Sequence, residues 1–280
     1  MEPSHIAGLP EFLKTIGCAE SPLGIFYSDQ PPAQGLSPAP MPGLLPTREK
    51  EQRGQVDWPQ VFESFSCVMG TIWRARRKQA AAYFDVERFG CPGGAFYLGF
   101  LGPQTDTIVY YVSTGVPGRL EGERYFDSPE ACRCFFETID PLPAPARYCI
   151  LKPIEQFGPA EEPDLVAFFC RPETLCGLHQ LATFATGDLE AVRSPMGAAC
   201  SNLIAWPYRY LVQGEQKAVL GGWDPSARKF FKTDEMSLSL PWDMFQRMLE
   251  RWPQSFLTTK TWATVHKKIA RSARAWGEEA

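Results

Sequence analysis

Apolar and polar positions fall into short segments of differing period along this chain. The apolar run from about Leu9 to Ile16 predicts a short helix, and Leu23 to Ser28 has the composition of a strand. Asp57 suits the N-cap of a helix with Trp58, Val61, Phe62 and Phe65 on one face, stopping before Cys67; a second helix is expected from about Val68 to Ala81. Pro92-Gly93-Gly94 predicts a break, with a short helix restarting over Ala95 to Phe100. Thr107 to Val112, rich in β-branched and aromatic residues, predicts a strand. Ser128 at an N-cap and Pro129 behind it open a helix to about Ile139.

Buried strands are expected at Tyr148 to Pro153 and Asp164 to Cys170, then a helix opened by Pro172. Leu203 to Val212 is apolar and aromatic, and Lys217 to Gly222 suits a strand. Met236 to Leu240 alternates like a half-buried strand, Pro241 starts a helix to about Trp252, and Thr258 to about Trp276 makes a last basic helix. Strands and helices alternate loosely, so the expected fold is α+β, a mixed sheet flanked by helices in one compact domain with a proline-rich arm. The expected parts are 1–30 as the N-terminal part of the core, 31–56 as the arm, 57–257 as the main core and 258–280 as the basic C-terminal helix. The six prolines from Pro31 to Pro46 exclude a helix or central strand there.

Composition narrows the function classes. A net charge of −4 leaves no broad basic surface for nucleic acid, and the run Arg74 to Lys78 suits a solvated helix face. No apolar run is long enough to span a membrane, and the N-terminus lacks a secretory h-region. Nine cysteines, an odd and scattered set, suit reduced thiols in a cytoplasm better than a disulfide scaffold.

The candidate chemistry lies in three of those cysteines. Cys67, Cys91 and Cys200 each sit among small or turn-forming residues, in Ser66-Cys67-Val68-Met69-Gly70, Gly90-Cys91-Pro92-Gly93-Gly94 and Ala198-Ala199-Cys200-Ser201-Asn202. Such thiolates can approach a bulky inorganic group unobstructed, and three of them hold three irons of a [4Fe–4S] cluster with the fourth open. Gly93 and Gly94 offer backbone N–H groups to cluster sulfides, and Ser201 and Asn202 are candidates to contact a ligand on the open iron. Arg76 is a candidate anchor for a substrate carboxylate or phosphate, in competition with a helix-face salt bridge. The competing reading of the cysteines is core packing. Cys132, Cys134, Cys149 and Cys170 are assigned to packing or to poor ligand geometry, and Cys176 is a weak candidate fourth ligand. Zinc ranks second, because no closely paired ligands occur and only His5, His179 and His266 are present. His179 is expected as a partly buried packing residue. Phosphate-cradling, dinucleotide and nucleophile-elbow motifs are missing.

Taken together, these segments resemble an uncharacterised prokaryotic family, domain of unknown function family 169. The pieces that carry the likeness are Ser21 to Ile25, Cys67 with Ala75-Arg76, Cys91 to Ala95 with Leu98-Gly99-Phe100, Ser128 to Ala131, Ala199 to Asn202 with Trp206-Pro207-Tyr208, and Met236 to Pro241. The resemblance implies a shared fold and a shared three-cysteine constellation, and no particular reaction. The expectation is a cytoplasmic iron–sulfur enzyme whose open iron binds a small polar substrate for dehydration, desulfurisation or electron delivery, with an electron-donor protein as a candidate partner. The alternative is a non-enzymatic module that binds a small ligand or zinc, or senses redox state.

Overall fold

The computed structural model describes residues 6–40, 48–57, 60, 63, 65–100, 106–139 and 142–276. Its frame is a seven-stranded sheet built from β1 (Leu23–Ser28), β2 (Ala82–Phe84), β5 (Tyr148–Pro153), β6 (Leu165–Cys170), β7 (Val192–Arg193), β8 (Ala218–Gly221) and β9 (Met236–Pro241). The spatial order is β2-β5-β1-β6-β9-β8-β7, antiparallel throughout except for the β7–β8 pair. A separate hairpin joins β3 (Gly115–Val116) to β4 (Leu120–Glu121). This is the mixed α+β fold expected from the loose alternation of elements.

The central strand explains the layers. In β6, Leu165, Ala167 and Phe169 enter one apolar core, while Val166, Phe168 and Cys170 enter another. Period-2 alternation therefore buries both faces, and helices cover each. On the first face lie α3 (Val68–Lys78), α4 (Pro92–Tyr97) and α6 (Pro129–Ile139); on the second lie α1 (Leu9–Ile16), α7 (Pro172–Thr186), α9 (Trp242–Arg251) and α10 (Lys260–Ala275). Of two short helices, α2 (Arg48–Gln52) precedes α3 in the chain and α5 (Asp106–Val112) lies between α4 and α6, and α8 (Trp206–Gln213) follows a π-helical turn over Ser201–Ala205.

Several expected elements appear as read: α1, β1 and α6 occupy the ranges given above, and the Ser128 hydroxyl accepts from the Ala131 amide as an N-cap should. Other readings need correction. Pro92-Gly93-Gly94 does not break the chain but forms the first turn of α4, since proline's missing N–H costs nothing at a helix start. Residues 107–112 belong to helix α5, not to a strand. Ile108 and Val112 stand one helical turn apart against the first core, and packing overrides β propensity there. Strand β9 is covered on both faces, with Ser237 and Ser239 buried; the Ser239 hydroxyl donates to the Leu203 carbonyl at 2.7 Å.

The helix expected after Asp57 falls largely on positions outside the described residues, although the Asp57 carboxylate does accept from the Gln60 amide. Of the proline-rich arm, residues 41–47 lie outside them too. The described part is pinned: the Leu36 amide donates to Ala81, and its carbonyl accepts from Tyr83, bridging to the edge of β2. Trp262 fastens α10 to the body through its indole N–H, which donates to the Thr15 carbonyl at 2.9 Å. No described helix is long and apolar enough to cross a membrane.

Candidate functional site

Short backbone contacts bring the three cysteines together. The Ser66 amide donates to the Gly90 carbonyl at 2.9 Å, so the next residues, Cys67 and Cys91, become neighbours. Gly90 has φ +78°, and a Cβ there would stand 2.5 Å from the Ser66 oxygen, so this crossing requires glycine. Cys67 is the N-cap of α3, its carbonyl accepting from Gly70 and Thr71. Cys91 caps α4, and its Sγ accepts from the Gly94 amide at 3.2 Å. Cys200 lies just before the π-helical turn, and the amide of Ala199 beside it donates to the Asp224 carboxylate at 3.2 Å. Asp224 in turn caps the short 3₁₀ turn Pro225–Phe230 by accepting from the Ser226 amide.

All three cysteines line one cavity of about 520 Å³. Gly93 and Gly94 form part of its wall, with Asp224 and Glu123 as its carboxylates. Aromatic side chains in the lining are Tyr97, Tyr111, Tyr125, Phe126, Phe135 and Phe136, beside aliphatic residues such as Val68, Ile108 and Val112. At the rim stand Met196 and Trp223, both exposed, and the Trp223 indole donates to the Ser194 hydroxyl at 2.7 Å.

Burial is the main electrostatic fact. It raises the Cys67 thiol, against the hydrogen bonds from the Met69 and Gly70 amides. It pushes Cys91 up to about 12, with the neighbouring Cys67 adding to the effect. Cys200 stands well above the ordinary thiol range from burial, then from Cys91 and Cys67. Each sulfur thus feels the others, and without a bound cation all three keep their protons at neutral pH. Burial also raises the Glu123 carboxyl, with Asp224 adding to it, while the Tyr111 hydroxyl donating at 3.0 Å works the other way.

The residue types present fit an iron–sulfur group. Thiols are soft ligands suited to such clusters, and backbone amides already point at two of the sulfurs. Among the described residues no three His, Cys, Asp or Glu side chains close on a point that would hold a single ion.

Other candidate residues lie elsewhere. Ser201 and Asn202 are buried behind the wall: Ser201 donates to the Ala198 carbonyl at 2.8 Å and Asn202 to Pro195 at 2.9 Å, fixing the rim loop instead of facing the cavity. Arg76 lines a different cavity, of about 830 Å³. Its guanidinium donates to both oxygens of Glu20 and both of Glu235, at 2.6 to 3.0 Å, and stacks 3.8 Å over Phe169. Of the basic run, Arg74, Arg77 and Lys78 are exposed as expected, whereas Arg76 is buried. Cys176 is exposed on α7, which covers the opposite face of the sheet, so it is no fourth ligand to this cavity. His179 on the same helix is exposed and not a packing residue; His5 and the His266 side chain lie outside the described residues.

The profile of domain of unknown function family 169, an uncharacterised ArCR family, matches residues 11–251. The chain belongs to that family. The match ends with α9, so the basic helix α10 lies beyond it. No curated protein and no solved structure matches the chain.

Sequence reasoning missed Asp224, Glu123 and the tyrosines of this family-169 cavity. Asp224-Pro225-Ser226 carries a legible cap signature, but nothing in the sequence aims that cap at the cysteines.

Proposed function

We propose that this family-169 protein is an enzyme holding a [4Fe–4S] cluster through Cys67, Cys91 and Cys200, with the uncoordinated iron turned toward the cavity and a small polar substrate. One observation carries the reading: three thiols from distant stretches of chain line one cavity. The bound group would supply a Lewis-acid or sulfur-accepting iron, suited to dehydration, desulfurisation or electron delivery. The chain's own residues then have separate tasks. The amides at the starts of α3 and α4 stabilise thiolate charge, and Asp224 and Glu123 place carboxylates in the same cavity. Three thiols with no histidine in the described lining suit an iron–sulfur cluster better than a catalytic zinc, which usually counts histidine among its ligands. Nine cysteines free of disulfides suit a reducing cytoplasm, where an electron-donor protein would serve the redox version of this chemistry.

Anaerobic isolation followed by iron and sulfide analysis tests the proposal. The expected result is a brown protein with about four irons and as many sulfides per chain, lost in Cys91→Ala with the fold retained. Stoichiometric zinc in place of iron would move the assignment to a mononuclear site. A metal-free protein that remains so after anaerobic reconstitution with iron and sulfide, and stays fully folded with all three cysteines replaced by alanine, would overturn it.

A further inference from the structure

The cavity's charge says which substrates can enter. Its described lining contains no Lys, Arg or His, while Asp224 and Glu123 both face it. Arg76, the one cation that the sequence suggested for a substrate acid, is committed elsewhere to Glu20 and Glu235. Lys229 is close enough to act on Cys67 and Glu123 but lies outside the lining, its ammonium 5.3 Å over the Phe230 ring. Seven aromatic side chains also line it, and aromatic ring faces carry negative potential that attracts cations. The cluster proposed above, three thiolates on a doubly positive [4Fe–4S] core, would add one net negative charge.

We propose that the three-cysteine cavity takes a small organic cation, an amine or quaternary ammonium compound, and turns away carboxylates and phosphates. The inference rests on the site proposed above and narrows its substrate class. A ligand carboxylate held about 5 Å from Asp224 would be disfavoured on the order of 100-fold by that charge alone. A cation in the same place is attracted by both carboxylates and by the rings.

The test compares choline with 3,3-dimethylbutan-1-ol, its uncharged carbon isostere, and with citrate. Binding is measured by equilibrium dialysis and by ligand-observed magnetic resonance on protein as isolated and on protein reconstituted with iron and sulfide. Choline should bind at least about tenfold more tightly than the isostere, and citrate should not compete. Glu123→Gln should reduce choline affinity about tenfold, leave the isostere unchanged and leave iron content at the wild-type level. Equal binding of choline and its isostere, or displacement of choline by citrate, would overturn the cation assignment, and a normal iron content in the same samples would leave the cluster reading standing. Selective choline binding in a protein that takes up no iron would uphold the cation site and remove the cluster instead.

Discussion

Replacing Arg76 by alanine should destabilise the protein strongly without removing any residue that lines the cysteine cavity. The Arg76 side chain is 6% exposed and that of Glu235 only 3%, and four hydrogen bonds join Arg76 to its two carboxylates. Removing one partner of such a buried pair strands the other charge, at a cost of about 3–5 kcal/mol. For a chain of this size that corresponds to a fall in Tm on the order of 10 °C. Circular dichroism melts and urea titrations measure it, with iron determined on the folded fraction. The pH dependence has a defined sign. Burial alone would raise the Glu20 carboxyl, but the hydrogen bond and charge of Arg76, with Lys232, hold it below its ordinary range. A carboxylate depressed in the folded state stabilises the fold above its unfolded value, about 4.3, and that contribution disappears as pH falls through the lower folded value. The gap between wild type and variant should therefore narrow below about pH 4. If Arg76→Ala melts with the wild type yet no longer binds a ligand, the clamp is not structural and the substrate-anchor reading returns.

Two further predictions concern the cysteines and the glycines beside them. In metal-free protein at neutral pH, iodoacetamide should label the exposed Cys134 and Cys176 first, and Cys67, Cys91 and Cys200 should react appreciably only as the pH rises above the ordinary thiol range; peptide mass spectrometry reads the order, and rapid labelling of Cys91 at neutral pH would contradict its raised thiol. Gly94→Ala should cost about 1–3 kcal/mol in denaturant titration, because its Cβ would stand 2.5 Å from the Phe89 oxygen and from a Val68 methyl, whereas Gly93→Ala, with its nearest neighbour at 3.6 Å, should fold like the wild type.

Much of this architecture is legible in the sequence where one local rule dominates. Ser128-Pro129 starts a helix because cap and proline agree, and β6 reads as buried because its apolar run is unbroken. Residues 107–112 mislead because β-branched content favours a strand when no partner strand is specified, and a helical stripe against the core decides otherwise. The cysteines stand out through their small neighbours, yet their meeting depends on Ser66–Gly90 and Ala199–Asp224, single long-range hydrogen bonds that no periodicity encodes. Arg76 misleads for the same reason: its partners Glu20 and Glu235 are remote in sequence, so a structural clamp has the sequence signature of a ligand anchor.

The two cavities are nevertheless joined by shared elements, and that bears on how variants are interpreted. Helix α3 carries Cys67 at its N-cap and Arg76 in its last turn, about 13 Å apart along the axis. The neighbouring 3₁₀ turn repeats the arrangement, with Asp224 in the cysteine cavity and Phe230 in the other. The two elements touch where Gly70 leaves room for the Phe230 ring, 3.0 Å from where a Cβ would lie. Loosening the Arg76 clamp therefore frees the far end of the helix that positions a cysteine. Iron lost from Arg76→Ala in proportion to the unfolded fraction reports this mechanical link. Only iron lost from a fully folded variant would place Arg76 in direct service of the site. Arg76→Lys separates these cases, because it keeps the buried positive charge while removing the forked contact to both carboxylates.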